Sequence, residues 1–503
     1  MLTTHAQIDR ATPPAPLDNL FNALRLVAVV WLLLVGLWSG PWLGASLVYP
    51  NGLLTVEIVL ALLLILLSLR GQVQPLRAYP FFIPGVAVLG LCAVSAACRI
   101  FARGTTLSDE TMSLWQHGEP LLRGVLLYLA IAGQPRLARV AWYALLGGLA
   151  LQAGAAVIQH FTNVTRWYAN LDSGWVSGWH PVHVPPVGSG PQPAPRVQGL
   201  TSYINLTAAL LAASLPYWSV PLALNFLASR KVRALLFLGA LATLAALWYT
   251  NSRGPMLAVF AVVLLVVIRL PQWRIAGVLA LAAFLAAVFP ALPGWALMAF
   301  AGAIVLLMLA RRWKFRYLLP IALAMGVGGG LLVVDAYAMH YQLGWRVSQQ
   351  GGVDNARLTL YRDALYTAAS SPWWGVGDRA VAERVIQLPK LENLPVTQRN
   401  YHDQYLHWAA AEGFPVALAL TCLVCWAVVL CWRQYPAWQN PHARALGLAT
   451  AMGLTIFLLC NLVDAHFWRI EGGGFFWSLL GVTFATGTTA SDNGNSGGQA
   501  HDC

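Results

Sequence analysis

Four stretches of this chain gather the side chains best suited to chemistry: PRVQGLTSYINL, TNSRGP, DNARLTLYRDALYTAASSPWWGVG and RNYHDQYLHWAAAEGFPVALAL. The first offers Arg196 and Gln198 just ahead of a helix whose opening turns carry Tyr203 and Asn205. The second sets Asn251, Ser252 and Arg253 at a helix mouth, where Gly254 and Pro255 start the next helix,. Free backbone N–H groups at helix starts attract anions, and nearby guanidinium groups add bidentate recognition of phosphate. The third supplies Arg357 and Arg362, and the fourth His402, Asp403 and Tyr405. His402 and Tyr405 are spaced to share a helix face, and an imidazole is the side chain whose ordinary titration makes it a base near neutral pH.

Each residue also has an ordinary reading. Arginines beside membrane helices commonly snorkel to headgroups. Arg357 has Asp354 for a partner, and Arg362 has Asp363 or lipid. His160, His180, His183, His340 and His407 compete with His402 for the role of base. The histidines of WHPVHV lack a carboxylate or cysteine at ligand spacing, so no metal site is expected,. What raises the functional reading is that the arginine sites and His402 fall on one side of a membrane under a topology drawn without reference to them.

That topology follows from composition. Of 503 residues, 58% are hydrophobic and only 10% charged, with 22 Trp and a mean hydropathy of +0.61, which excludes an ordinary soluble domain. Apolar runs of about 20 residues cross a bilayer as helices, because lipid cannot satisfy an open backbone. The fold class expected is all-α, a polytopic membrane bundle of about 12 to 14 transmembrane helices. Fourteen apolar segments can be drawn, at 23–43, 53–69, 80–97, 120–133, 140–160, 201–222, 234–249, 255–270, 275–290, 294–310, 317–334, 408–430, 445–462 and 472–487.

With a cytoplasmic N-terminus, every second connection collects arginines, as in RKVR at 230–233 and RRWKFR at 311–316, which satisfies the positive-inside rule,. One external connection, 98–123, carries arginines against the trend, partly offset by its acidic residues. The organisation expected is a cytoplasmic lead at 1–22, N-terminal helices over 23–160, a periplasmic loop at 161–200, central helices over 201–334, a large periplasmic loop at 335–407, C-terminal helices over 408–487 and a disordered cytoplasmic tail at 488–503. Within the large loop, Leu358, Tyr361, Leu365 and Ala368 share one face of a helix lying on the bilayer surface, with Trp373 and Trp374 in an interfacial belt,. The lead lacks a cleavage pattern, so the first helix is expected to act as an uncleaved signal-anchor. The net charge of +12 fits cytoplasmic loops and anionic headgroups or diphosphates, not nucleic acid. Cys422 and Cys425 fit helix packing better than zinc,.

In their order and separation by apolar helices, RVQGLTSYIN, NSRGPMLAV, RLTLYRDALYTAASSPWWGVG and YHDQYLHWAAAEGFPVAL resemble the O-antigen ligase and polymerase superfamily of bacterial envelope glycosyltransferases. The likeness covers about residues 196–430. The chain departs from the common pattern in having Tyr-Ile-Asn where many members have Pro-Asn, and His-Asp where many have His-Asn. The resemblance implies a GT-C-like architecture in the bacterial inner membrane and inverting transfer of a glycan from undecaprenyl diphosphate to an acceptor hydroxyl on the periplasmic face, with no metal or other cofactor. It implies diphosphate binding by Arg196 and Arg253 and a base at His402, with Arg357 or Arg362, Gln198, Ser252 and Tyr405 as assisting candidates. The acceptor ranked first is lipid A-core, the reaction of a ligase. A polymerase of lipid-linked repeat units and a protein glycosyltransferase are the neighbouring readings, and a transporter of lipid-linked or anionic substrates is the alternative of another class. Transporters tend to carry internal repeats and charged midplane helices, whereas the candidate charges here cluster at one interface.

Overall fold

The computed structural model describes residues 16–38, 56–70, 73, 75–161, 164–168, 177–181, 204–224, 229–250, 252–269, 353–388, 400–467 and 470–495. The N-terminal helices are α1 (Pro16–Trp38), α2 (Val56–Leu69), α3 (Phe82–Arg103), α4 (Leu107–Ile131) and α5 (Pro135–Phe161). Strands β1 (Val164–Tyr168) and β2 (Ser177–Pro181) then pair antiparallel, with Val164 opposite Pro181 and Tyr168 opposite Ser177. Next come α6 (Ile204–Ala223), α7 (Arg230–Thr250) and α8 (Arg253–Arg269). A loop-borne pair, α9 (Val353–Ser370) and α10 (Asp378–Gln387), precedes α11 (Gln404–Glu412), α12 (Phe414–Gln434), α13 (Pro441–Cys460) and α14 (Ile470–Asn495). Among the described residues, six helical segments are long and apolar enough to cross a membrane: Phe82–Arg103, Pro135–Phe161, Asn205–Ala223, Arg230–Thr250, Phe414–Ala437 and Pro441–Cys460. The protein is a multi-pass helical membrane protein. The expected segments at 275–290, 294–310 and 317–334 lie outside the described residues.

The helices start and stop where local chemistry dictates. Asn440 caps α13 by accepting hydrogen bonds from the backbone N–H of His442 and Ala443, and Pro441 takes the first helical position, where its missing N–H costs nothing,. At the other end of the same logic, Gly104 closes α3 in the left-handed conformation, and Thr106 caps α4 through the Asp109 N–H,. The bundle interior is sealed mainly by α4 against α14 and by α6 against α13, where the Tyr217 hydroxyl donates to Thr450 Oγ1 at 3.0 Å. Aliphatic side chains such as Leu66, Leu235 and Leu418 face outward, as a bundle surrounded by lipid requires.

Four expectations need correction. Residues 98–123 form no long connection: α3 and α4 run through them and meet at a tight turn. The charges that break the hydropathy pattern pair with one another in the interior. Arg99 Nη2 donates to Glu110 Oε2 at 2.7 Å and to Glu412 Oε2 at 3.0 Å, with all three side chains at most 4% exposed. The single span drawn at 408–430 is two helices broken at Gly413, whose φ of 88° favours glycine,. On α9, the inward face carries Leu360, Asp363, Ala364, Thr367 and Ala368, while Leu365 is 53% exposed. Hydrogen-bonding partners rather than apolar spacing set that register, as the site shows. Finally, α14 continues through Asn495, past the 488 boundary drawn for a disordered tail, because extending an established helix is far cheaper than nucleating one.

The break at Gly413 is held by a backbone clasp. The N–H groups of Val376 and Gly377 donate to the carbonyls of Ala410 and Ala411 at 2.9 Å each, and Phe414 N–H donates to Pro372 O at 2.8 Å. The segment PWWGVG thus satisfies the open carbonyl end of α11, which would otherwise be left without partners. Arg99 Nη1 adds donors to Trp374 O at 2.6 Å and Ala411 O at 3.2 Å, so the clasp is tied to the N-terminal helices. Beneath it, Leu360, Val381, Val385, Tyr401 and Ala410 form a small second core joining α9, α10 and α11.

Candidate functional site

His402 lies outside α11, not on it. Asp403 is the cap, its carboxylate accepting from Leu406 N–H at 2.9 Å, so His402 occupies the preceding turn with a φ of 52°. The helix-face argument linking His402 with Tyr405 therefore fails. The Tyr405 hydroxyl donates instead to the Leu458 carbonyl at 3.1 Å.

The imidazole finds a partner that sequence reasoning missed. His402 Nδ1 lies 3.1 Å from Asp464 Oδ1, on the turn between α13 and α14. Asp464 Oδ1 also accepts from Ala465 N–H at 2.8 Å, while its Oδ2 accepts from Asn205 Nδ2 at 2.6 Å. Asn205 Oδ1 in turn accepts from Ser252 Oγ at 3.2 Å. Four segments distant in sequence thus meet in one hydrogen-bonded chain, and Arg253 follows Ser252 as the first residue of α8. The backbone there is close against the Asp464 turn, since a Cβ on Gly254 would come within 2.5 Å of Val463 Cγ2.

The electrostatics of the chain are set by Asp464, whose side chain is 3% exposed. Burial alone would raise its carboxyl. The hydrogen bond from His402, the charges of His402 and His466 and the bond from Asn205 outweigh this and hold it well below the usual carboxylate range,. An anion fixed on Nδ1 selects the tautomer that leaves Nε2 as the basic nitrogen. The imidazole is 12% exposed, and no described residue hydrogen-bonds Nε2. This arrangement can accept a proton from a hydroxyl and stabilise the imidazolium that results.

Of the other expected residues, Arg196 and Gln198 lie outside the described residues. Arg357 falls on α9. Arg362 is exposed, and the carboxylate proposed for it, Asp363, is taken by Arg384 at 2.8 Å. Among the competing histidines, His407 is occupied by Asp378 Oδ1 at 2.9 Å, and His160 stacks flat on Tyr249 at 3.6 Å between centroids. His183 and His340 lie outside the described residues.

The family model for O-antigen ligase matches residues 293–421, a stretch holding α9, α10, α11 and His402. That stretch is similar to the O-antigen ligase family. Members of that family are glycosyltransferase-type enzymes of polysaccharide biosynthesis. The matched residues include His402, Arg357 and Arg362, while Asn205, Ser252, Arg253 and Asp464 lie outside them. Comparison with curated proteins gives no match. The signal that could have found Asp464 is its setting: NLVDAHFWRI places a carboxylate and a histidine in a short connection between two apolar spans, on the side already assigned to His402.

Proposed function

We propose that this protein is an O-antigen ligase-type glycosyltransferase that moves a glycan from undecaprenyl diphosphate to a hydroxyl of lipid A-core at the periplasmic face of the inner membrane, with inversion and without a metal. The observation that carries this reading is the chain from His402 through Asp464 and Asn205 to Ser252, which sets a candidate base at the mouth of the helix that Arg253 opens.

In this reading His402 Nε2 removes the proton of the acceptor hydroxyl as its oxygen forms a bond to the anomeric carbon. The bond from that carbon to the diphosphate oxygen breaks, and the electron pair leaves with the diphosphate. Arg253 and Arg196 stabilise the departing charge, which fixed guanidinium groups do most effectively in a partly desolvated site. One displacement inverts the anomeric centre and needs no covalent sugar–enzyme intermediate. Asp464 stabilises the imidazolium until the proton returns to solvent. The apolar helices hold the polyprenyl tail.

The test is incubation of the purified protein with an undecaprenyl diphosphate glycan and either lipid A-core or a second lipid-linked repeat unit. A glycosylated lipid A-core is expected, with activity unchanged in EDTA. A product lengthened only on the lipid carrier would replace ligase with polymerase, and a requirement for one added divalent ion would overturn the metal-free mechanism.

A further inference from the structure

His402 holds a backbone conformation that non-glycine residues seldom adopt,, and such a conformation persists only where the surroundings over-determine it. Its immediate neighbours supply that constraint. Asn400 Oδ1 accepts the His402 N–H at 2.8 Å, and Asp403 is fixed as the cap of α11. Tyr401 is wholly buried, and its hydroxyl donates to Asp363 Oδ2 at 2.8 Å. With that single proton committed, Thr367 Oγ1, 2.9 Å away, is the donor to the Tyr401 oxygen. Asp363 is gripped from the other side by Arg384, whose Nε lies 2.9 Å from both carboxylate oxygens and whose Nη2 lies 2.8 Å from Oδ1.

We infer that Tyr401, Asp363 and Arg384 are positioning residues for His402: they lock the residue before it so that the imidazole stays against Asp464 and Nε2 remains the basic nitrogen. The inference rests on the reading of His402 as the base. It also assigns a purpose to the inward Asp363 and Thr367 of α9, which no apolar stripe explains. None of the three needs to touch substrate. Arg384 supplies the compensating charge without which Asp363 would be a poorly solvated lone carboxylate facing a buried phenol. Tyr401 transmits the restraint through one peptide unit to the turn that carries the base. The role is geometric, and a displacement of about 1 Å at a reacting group is enough to cost roughly 100-fold in rate.

The experiment uses the full-length protein in nanodiscs and compares Tyr401→Phe, which removes one hydroxyl and keeps the ring, with Arg384→Gln, a change at a half-exposed side chain. In each, kcat for glycan transfer is expected to fall by about 10- to 100-fold while KM for the lipid-linked donor stays unchanged. Combined with Asp464→Asn, Tyr401→Phe is expected to cost less than it does alone, because both act through the same imidazole. Independently of transfer, the carbethoxylation of His402 by diethyl pyrocarbonate, followed by peptide mass spectrometry, is expected to quicken severalfold as the imidazole leaves Asp464. Unchanged modification in both variants overturns the positioning role whether or not the protein transfers glycans. Losses that add in full to those of Asp464→Asn overturn it as well. Quickened modification in the variants, together with a wild-type protein inactive on every donor, leaves the positioning standing and defeats the proposed reaction.

Discussion

Replacing Asp464 with asparagine isolates the charge at the centre of the site. The shape survives: the new carboxamide can keep its carbonyl towards His402 and Ala465 N–H, while its NH₂ donates to Asn205 once that side chain flips and gives its own amide to Ser252. Every bond now seen, from 2.6 Å at Asn205 to 3.2 Å at Ser252, has a neutral replacement. What is lost is the anion 3.1 Å from His402 Nδ1. A hydrogen bond to a charged group contributes about 1.5–3 kcal/mol against about 0.5–1.5 kcal/mol for a neutral one, so about 1–1.5 kcal/mol is lost, and at about 1.4 kcal/mol per decade the expected fall in kcat is roughly 5- to 13-fold. The wild-type carboxyl is held below its usual range by His402 and Asn205 against the opposing effect of burial. It is therefore ionised at every pH above about 4, and the deficit of the variant should be present throughout that range. Transfer to lipid A-core, followed by gel mobility from mildly acidic to mildly alkaline buffer, measures it. An Asp464→Asn protein with wild-type kcat, or a deficit confined to one end of the range, would refute the assignment.

His402→Ala and Arg253→Ala should each abolish detectable transfer while leaving a monodisperse, thermally stable protein, since a general base contributes about 10²- to 10⁴-fold; purified His402→Ala with full activity would end the base assignment. Gly413→Ala would force a side chain into a φ of 88° with its Cβ 2.5 Å from the Trp373 carbonyl, and should destabilise the protein by about 1–3 kcal/mol, seen as a lower Tm. Arg99→Met leaves Glu110 and Glu412 buried without their cation, a change expected to cost about 3–5 kcal/mol, much of it recovered when both glutamates become glutamine. For Glu412, burial opposes ionisation, but the His117 hydrogen bond and the Arg99 charge prevail and hold its carboxyl below the usual range. Its folded-state value lies below its unfolded one, so it adds stability above about pH 4.5 that is lost as pH falls through the folded value. The Tm should therefore fall in acid, and less steeply in Glu412→Gln.

The membrane helices were legible because hydropathy reports burial in lipid directly. The α3–α4 hairpin was not, since Arg99 and Glu110 count individually as polar while the pair, joined by Glu412, is an interior group of paired charges. Hydropathy also passed over the break at Gly413, because AAAEGFPVAL is apolar on both sides and only backbone geometry distinguishes two helices from one. His402 and Ser252, which the hydrogen-bonded chain joins, stood out by residue type and motif order. Asp464 escaped because its motif is not in the stretch that carries the family resemblance. On α9, apolar spacing misplaced the inward face because Asp363 and Thr367 face Tyr401, a choice made by a hydrogen-bonding partner 38 and 34 positions away.

The chain through residues 205, 252, 402 and 464 also sets the timing of competence during synthesis. A ribosome has to thread nearly the whole polypeptide into the bilayer before the aspartate arrives, so nascent or prematurely terminated products that stop short of it lack one member of the chain and, under the proposed reaction, would be inert. On that reading, donor lipids would be spared from half-built copies of the protein.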